Sequence, residues 1–180
     1  MSTGISQLAA LGAALEYPTA GWRTRLQDLE RQLAGHPSAA SIQAFLTATE
    51  PYSDAGIAEI YTRTFDLAPQ CAPYLGVHLF GEQDARRSQL MVGLASEYKA
   101  TGHDTGSELP DHLSVVLRSL TRLPAQTRDE LVRLCVRPAL VSMATQLRSS
   151  NSPYEHLVRA PIALLDTIRA SAVSAEVAHA

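Results

Sequence analysis

Lysine is almost missing from this chain. Lys99 is the only one among 15 basic residues. With 18 acidic residues, a formal net charge of −3 and a pI near 6.0, no cationic excess is available to hold a nucleic acid. Cysteine is scarce too: Cys71 and Cys135 lie far apart without a CxxC partner, which suits a reduced, cytoplasmic protein better than a disulfide scaffold. No apolar run reaches the roughly 20 residues a membrane span needs. The opening "MSTGISQLAALGAALEYP" has neither a basic start nor a twin arginine, so it does not read as an export signal. The six histidines never stand at i, i+3 or i, i+4 with a second strong ligand apart from acidic neighbours, so no metal site is expected. The glycines are dispersed, which removes a phosphate loop. Neither cysteine has a local base, and Cys135 falls on an apolar stripe beside Leu131 and Leu134. The expectation is a protein that is not an enzyme.

What the chain does have is apolar residues at helical spacing, nearly everywhere. Ile5, Leu8, Leu11 and Leu15 make one stripe, stopped by Pro18. Trp22, Leu26, Leu29 and Leu33 make a second, closed by Gly35; Ile42, Phe45 and Leu46 make a third before Pro51. Ser53 is placed to cap a helix that carries Ile57, Ile60, Tyr61, Thr64 and Phe65 on one face. "APYLGVHLFG" is a short apolar piece, and Leu90, Met91, Leu94 and Tyr98 run in register to Gly102. Capping-box spacing marks Thr127 with Glu130, and Ser152 with Glu155. Pro138 and Pro161 each predict a kink or break. No stretch alternates as a strand would. The reading is an all-α, single-domain bundle of roughly eight or nine helices over residues 1–170, with a frayed tail over 171–180. Monomer and helix-exchanged dimer both stay open, with Gly102 or Pro138 as the hinge.

One hexad, Glu108-Leu109-Pro110-Asp111-His112-Leu113, stands out before an apolar run. A proline pushes the residue before it out of the helical region and can itself open a helix, which puts Asp111 in the first turn against the positive end of the helix dipole. That explains Pro110 and Asp111 but gives Glu108 and His112 no task. Asp66 is also odd, because a carboxylate is unfavourable near a helix C-terminus and so calls for a partner inside the fold or outside it.

In order, four stretches resemble the NarJ branch of the TorD/DmsD/NarJ superfamily of molybdoenzyme assembly chaperones: "YTRTFDLAPQCAPYL", "HLFGEQDARRSQLM", "ELPDHL" and "SPYEHLV". Ser114 departs from the family, which often extends its hexad with another proline. The resemblance implies an all-α chaperone that binds the apo catalytic (alpha) subunit of respiratory nitrate reductase, chiefly its N-terminal segment. Such a chaperone keeps the client competent for insertion of bis-molybdopterin guanine dinucleotide before membrane docking, and holds no cofactor stably itself. A dimethyl sulfoxide, selenate or chlorate reductase subunit is the alternative client. Carried onto this sequence, the client-binding residues are Tyr61, Thr64, Phe65, Asp66, Arg86, Arg87, Glu108, Asp111, His112 and Leu113. Tyr61, Phe65 and Leu113 would floor a groove or support its floor, while Glu108, Asp111 and His112 would anchor its rim or form the hinge that shapes it. From Asp66 to Asp111 seven acids face three basic residues, a balance that would draw in a cationic segment.

Overall fold

Most of the apolar stripes become helices close to where their periodicity puts them. The computed structural model describes residues 2–177, with side chains from 4 to 170. The helices are α1 (Ser2–Ala14), α2 (Trp22–Gln32), α3 (Pro37–Thr49), α4 (Asp54–Tyr61), α5 (Leu75–Phe80), α6 (Ala85–Thr101), α7 (Leu113–Ser119), α8 (Ala125–Leu131), α9 (Arg137–Ser149) and α10 (Tyr154–Val177). A π turn, Thr62–Asp66, extends α4, and a second, Val132–Val136, welds α8 and α9 into one rod. The described residues thus form nine continuous helical rods and no strand. The expected fraying of 171–180 concerns side chains outside the described residues, and 178–180 lie wholly outside them.

Helix α7 is the centre. All its side chains but that of Arg118 are buried; the two buried serines have hydrogen-bond partners, Ser114 in His112 Nδ1 and Ser119 in Val116 O. It packs against α1 at a close approach: a Cβ on Gly12 would come within 2.8 Å of Leu117 Cβ. Helix α10 packs on α3, α9 and α1, and α5 lies on α6 and α9. The rings of Phe45, Tyr61, Phe65 and Tyr154 form one aromatic cluster with centroids 5.0–5.8 Å apart. Such pairs add roughly 0.5–1.5 kcal/mol each beyond area burial.

Several local expectations change. The helix after Pro124 starts at Ala125, not at Thr127 or Arg128, because the Pro124 carbonyl already accepts the Arg128 N–H (2.9 Å). Glu130 then takes the Gln126 amide instead of completing a capping box. At α10 the helix begins beside Ser152 as expected, but the Ser152 hydroxyl faces Thr64 Oγ1 (3.3 Å). Glu155 meanwhile pairs with Arg148 and Arg159. Pro138 breaks nothing. The turn ahead of it widens so that the Arg137 N–H reaches Val132 O, a π bond that absorbs the proline. Helix α10 continues through Pro161.

Candidate functional site

The hexad does not open α7 in the way local reasoning expects. Helix α7 starts at Leu113, and the extended His112 just before it forms an isolated antiparallel bridge with Tyr74. Leu75 N–H donates to Asp111 O and Leu113 N–H donates to Pro73 O, both at 2.8 Å. This two-bond clamp sets Tyr74 opposite His112, with their rings edge to face at 5.6 Å.

Asp111 is therefore not a first-turn charge. It is fully buried, accepting from Arg87 Nε (2.9 Å) and from the Gly76 N–H (3.2 Å). A Cβ on Gly76 would sit 2.5 Å from Arg87 Cγ and 2.8 Å from Asp111 Oδ2, so the lock closes only over glycine. Tyr98 donates its hydroxyl to Pro110 O (3.0 Å), holding the other side of the hexad. The task missing for His112 is the N-cap. Its Nδ1 accepts the Ser114 N–H (3.3 Å) and meets Ser114 Oγ (2.9 Å). A proline at 114 could not supply that N–H, so the departure from the family pattern is what lets this imidazole cap the helix.

Above this lock lies an open cleft of about 400 Å³. Tyr17, Tyr61 and Tyr74 give it aromatic walls, and Glu16, Asp66 and Glu108 give it carboxylates. His112 lies at its base. Burial pushes the His112 pKa below the ordinary imidazole value, against the opposing pull of Glu108 and Glu16, so the ring is a neutral acceptor there. The Tyr61 hydroxyl is pushed up, first by burial and then by Glu108 and Glu16; its O–H reaches Leu15 O (3.5 Å). Tyr17 stands edge to face on Tyr61 at 5.5 Å and is half exposed. At one margin Arg118 lies 3.2 Å from Glu16. Asp66 and Glu108 have no hydrogen-bonding or ion-pair side chain beside them among the described residues, and both are exposed.

Of the ten residues named from the resemblance, the cleft gathers Tyr61, Phe65, Asp66, Glu108 and His112. Arg87, Asp111 and Leu113 lie directly beneath as its support. Thr64 points away into the core toward Ser152. Arg86 sits on the surface, paired with Asp84 (2.7 Å) over the Phe80 ring. Sequence reasoning missed Glu16, Tyr17 and Tyr74. For Glu16 and Tyr17 the available signal is "EYP" at residues 16–18, an acid and an aromatic just past the end of α1.

The chemistry this arrangement offers is recognition of positive charge: uncompensated carboxylates beside aromatic faces in a recessed surface. It does not offer a nucleophile. Cys71 is buried, which pushes its thiol up to about 12, and His78 Nε2 lies 2.8 Å from Ala72 O and 3.8 Å from the sulfur. With that nitrogen donating to a carbonyl, no base faces the thiol. Among the described residues, no three His, Cys, Asp or Glu side chains converge as a metal site. No described helix is long and apolar enough to cross a membrane.

Fold and cleft together define an all-helical protein with an acidic, aromatic-walled cleft. Residues 15–156 match the family model described as nitrate reductase delta subunit, and the chain belongs to that family. It is 27% identical over 167 residues to the nitrate reductase molybdenum cofactor assembly chaperone NarJ of Escherichia coli strain K12, covering 89% of this chain and 70% of that one. The same protein from Escherichia coli O157:H7 matches equally. The fold is also that of a redox enzyme maturation protein from Archaeoglobus fulgidus, with TM-score 0.66, 19% identity, and coverage of 90% of this chain and 93% of the other. The family and its named relatives set the chain among assembly chaperones rather than enzymes.

Proposed function

We propose that this chain is a cytoplasmic chaperone of the apo catalytic (alpha) subunit of a respiratory nitrate reductase. It grips chiefly the N-terminal segment of that subunit, and holds it competent for insertion of bis-molybdopterin guanine dinucleotide before the enzyme docks at the membrane. The molybdenum cofactor is cargo for the client, not a resident group of this protein. The observation that carries the reading is the cleft over the hexad, where Asp66 and Glu108 stand exposed beside three tyrosines and without an ion-pair partner among the described residues. A client segment that folds on binding would lay its apolar side on the tyrosines and its cationic side chains against the carboxylates. Ordering that segment costs several kcal/mol, which moderates affinity and permits release.

The test is capture of the N-terminal segment of the nitrate reductase catalytic subunit, followed by calorimetry. Asp66→Asn with Glu108→Gln should lower affinity about tenfold, mainly through the association rate. Both positions are exposed, so the helical content should not change. Undiminished capture would take the cleft out of the binding surface. Capture of the corresponding segment from a dimethyl sulfoxide, selenate or chlorate reductase, in preference to nitrate reductase, would change the client.

A further inference from the structure

A second cleft of about 320 Å³ opens at the seam of α1, the α8–α9 rod and α10, and the proposed client site uses none of its residues. Its floor is apolar: Ile5 from α1, Val132 from the π turn, and Leu165 and Ile168 from α10. Its mouth is cationic. Arg137 is held by Asp166 (2.7 and 3.2 Å) and Arg128 by Asp129 (2.9 Å). Arg133 and Arg169 also line the cleft, are exposed, and have no carboxylate partner among the described residues. The π turn gives this composition its geometry, because the widened turn contributes Val132 to the floor and Arg133 to the mouth. Such turns recur at binding sites.

An apolar trough of this size with a few charged groups at one end is the form of a small-molecule site. We propose that it binds a small anionic amphiphile, a medium-chain carboxylate in chemical class, with the chain on the Ile5–Leu165–Ile168 floor and the carboxylate between Arg133 and Arg169. The charge balance selects the sign of the head group. Among the described residues two guanidiniums stand without a carboxylate, and Asp129 and Asp166 are already engaged. Guanidinium supplies the planar, bidentate donors a carboxylate takes best. An occupant would tie three rods together, so binding stabilises the native chain by mass action.

The experiment is calorimetric titration of the full chain with decanoate below its micellar concentration, alongside decylammonium, with thermal unfolding followed in parallel. One-to-one binding of decanoate with a raised Tm is expected, and little response to decylammonium. Arg133→Ser with Arg169→Ser, at two exposed positions where folding is not at stake, should weaken decanoate about tenfold. Equal binding of the two probes would mean apolar surface alone and would overturn the proposal, as would affinity unchanged in the double variant. Absence of decanoate binding, or saturation of the cleft only by an acidic amphipathic peptide, would overturn it too.

Discussion

Arg87 and Asp111 lie 24 residues apart in sequence, and Arg87 Nε is 2.9 Å from Asp111 Oδ2 in the interior. The carboxylate also accepts the Gly76 N–H, and the guanidinium rests over the Tyr74 ring at 5.2 Å. One ion pair thus joins α6, the start of α5 and the hexad, and it lies under the cleft rather than in it. Two residues assigned by resemblance to client contact therefore support Tyr74 and His112, which line the cleft.

Breaking this pair should be costly in a characteristic way. Arg87→Met or Asp111→Ala alone leaves one buried charge unpartnered and is expected to destabilise the chain by about 3–5 kcal/mol. Asp111→Ala is then no clean probe of binding, contrary to the expectation for an exposed rim residue. Replacing both, as Arg87→Met with Asp111→Leu, should recover much of the loss. Urea unfolding of the four proteins gives the cycle; additive losses would show that the pair does not act as a unit.

Gly76→Ala tests the same lock from the backbone side. The added methyl meets Arg87 Cγ and Asp111 Oδ2 well inside van der Waals contact. Overpacking of this kind costs roughly 1–3 kcal/mol, so a marked fall in Tm is expected. A Tm equal to that of the parent chain would mean the lock is loose.

His112 links the cap to pH. Its folded-state pKa is lowered by burial, so the native state binds fewer protons than the unfolded chain between that pKa and the ordinary value near 6.5. The stabilising contribution is full above about 6.5 and is lost as pH falls through the folded value. Protonation also removes the acceptor for the Ser114 N–H and puts a positive charge at the base of the acidic cleft. Affinity for a cationic segment should therefore fall over the same acidic range. Calorimetry that gives one affinity from neutral pH down through the whole acid range in which the chain stays folded would contradict this. In Ser114→Pro the donor is gone, and NMR titration should find His112 closer to the ordinary imidazole value.

Cys71 should be chemically silent. Burial raises its thiol to about 12, leaving almost no thiolate at neutral pH. A disulfide reagent applied to the native chain should leave Cys71 unmodified until denaturant is added, as mass mapping of the labelled peptides would show. Labelling of Cys71 in the native state at the rate of a free thiol would place it at the surface.

How much was legible in advance varies with the range of the interaction. The stripes Leu8–Leu11–Leu15, Trp22–Leu26–Leu29–Leu33 and Ile57–Ile60–Tyr61 are buried as their spacing requires. Ser53 caps α4 through the Gly56 N–H, and Gly102 ends α6 in the left-handed region its lack of a side chain permits. The Thr127 box failed because a competing start, the Pro124 carbonyl, lay one turn upstream. The hexad stands out in the sequence, but local rules place its proline and acid in the first turn of a helix that begins only at Leu113.

Composition and periodicity by themselves determined that this chain folds as helices, and which face of most helices turns inward, because apolar burial follows a 3.6-residue repeat written in adjacent residues. They could not supply the pairing of Pro73–Leu75 with Asp111–Leu113, the partner of Asp111, or the meeting of Glu16, Asp66 and Glu108. Those depend on where the ends of α1, α4 and α6 fall relative to α7. Hydrogen bonds and charge pairs between residues dozens of positions apart leave no local period in the sequence. They exist only once the packed rods have brought their loops together.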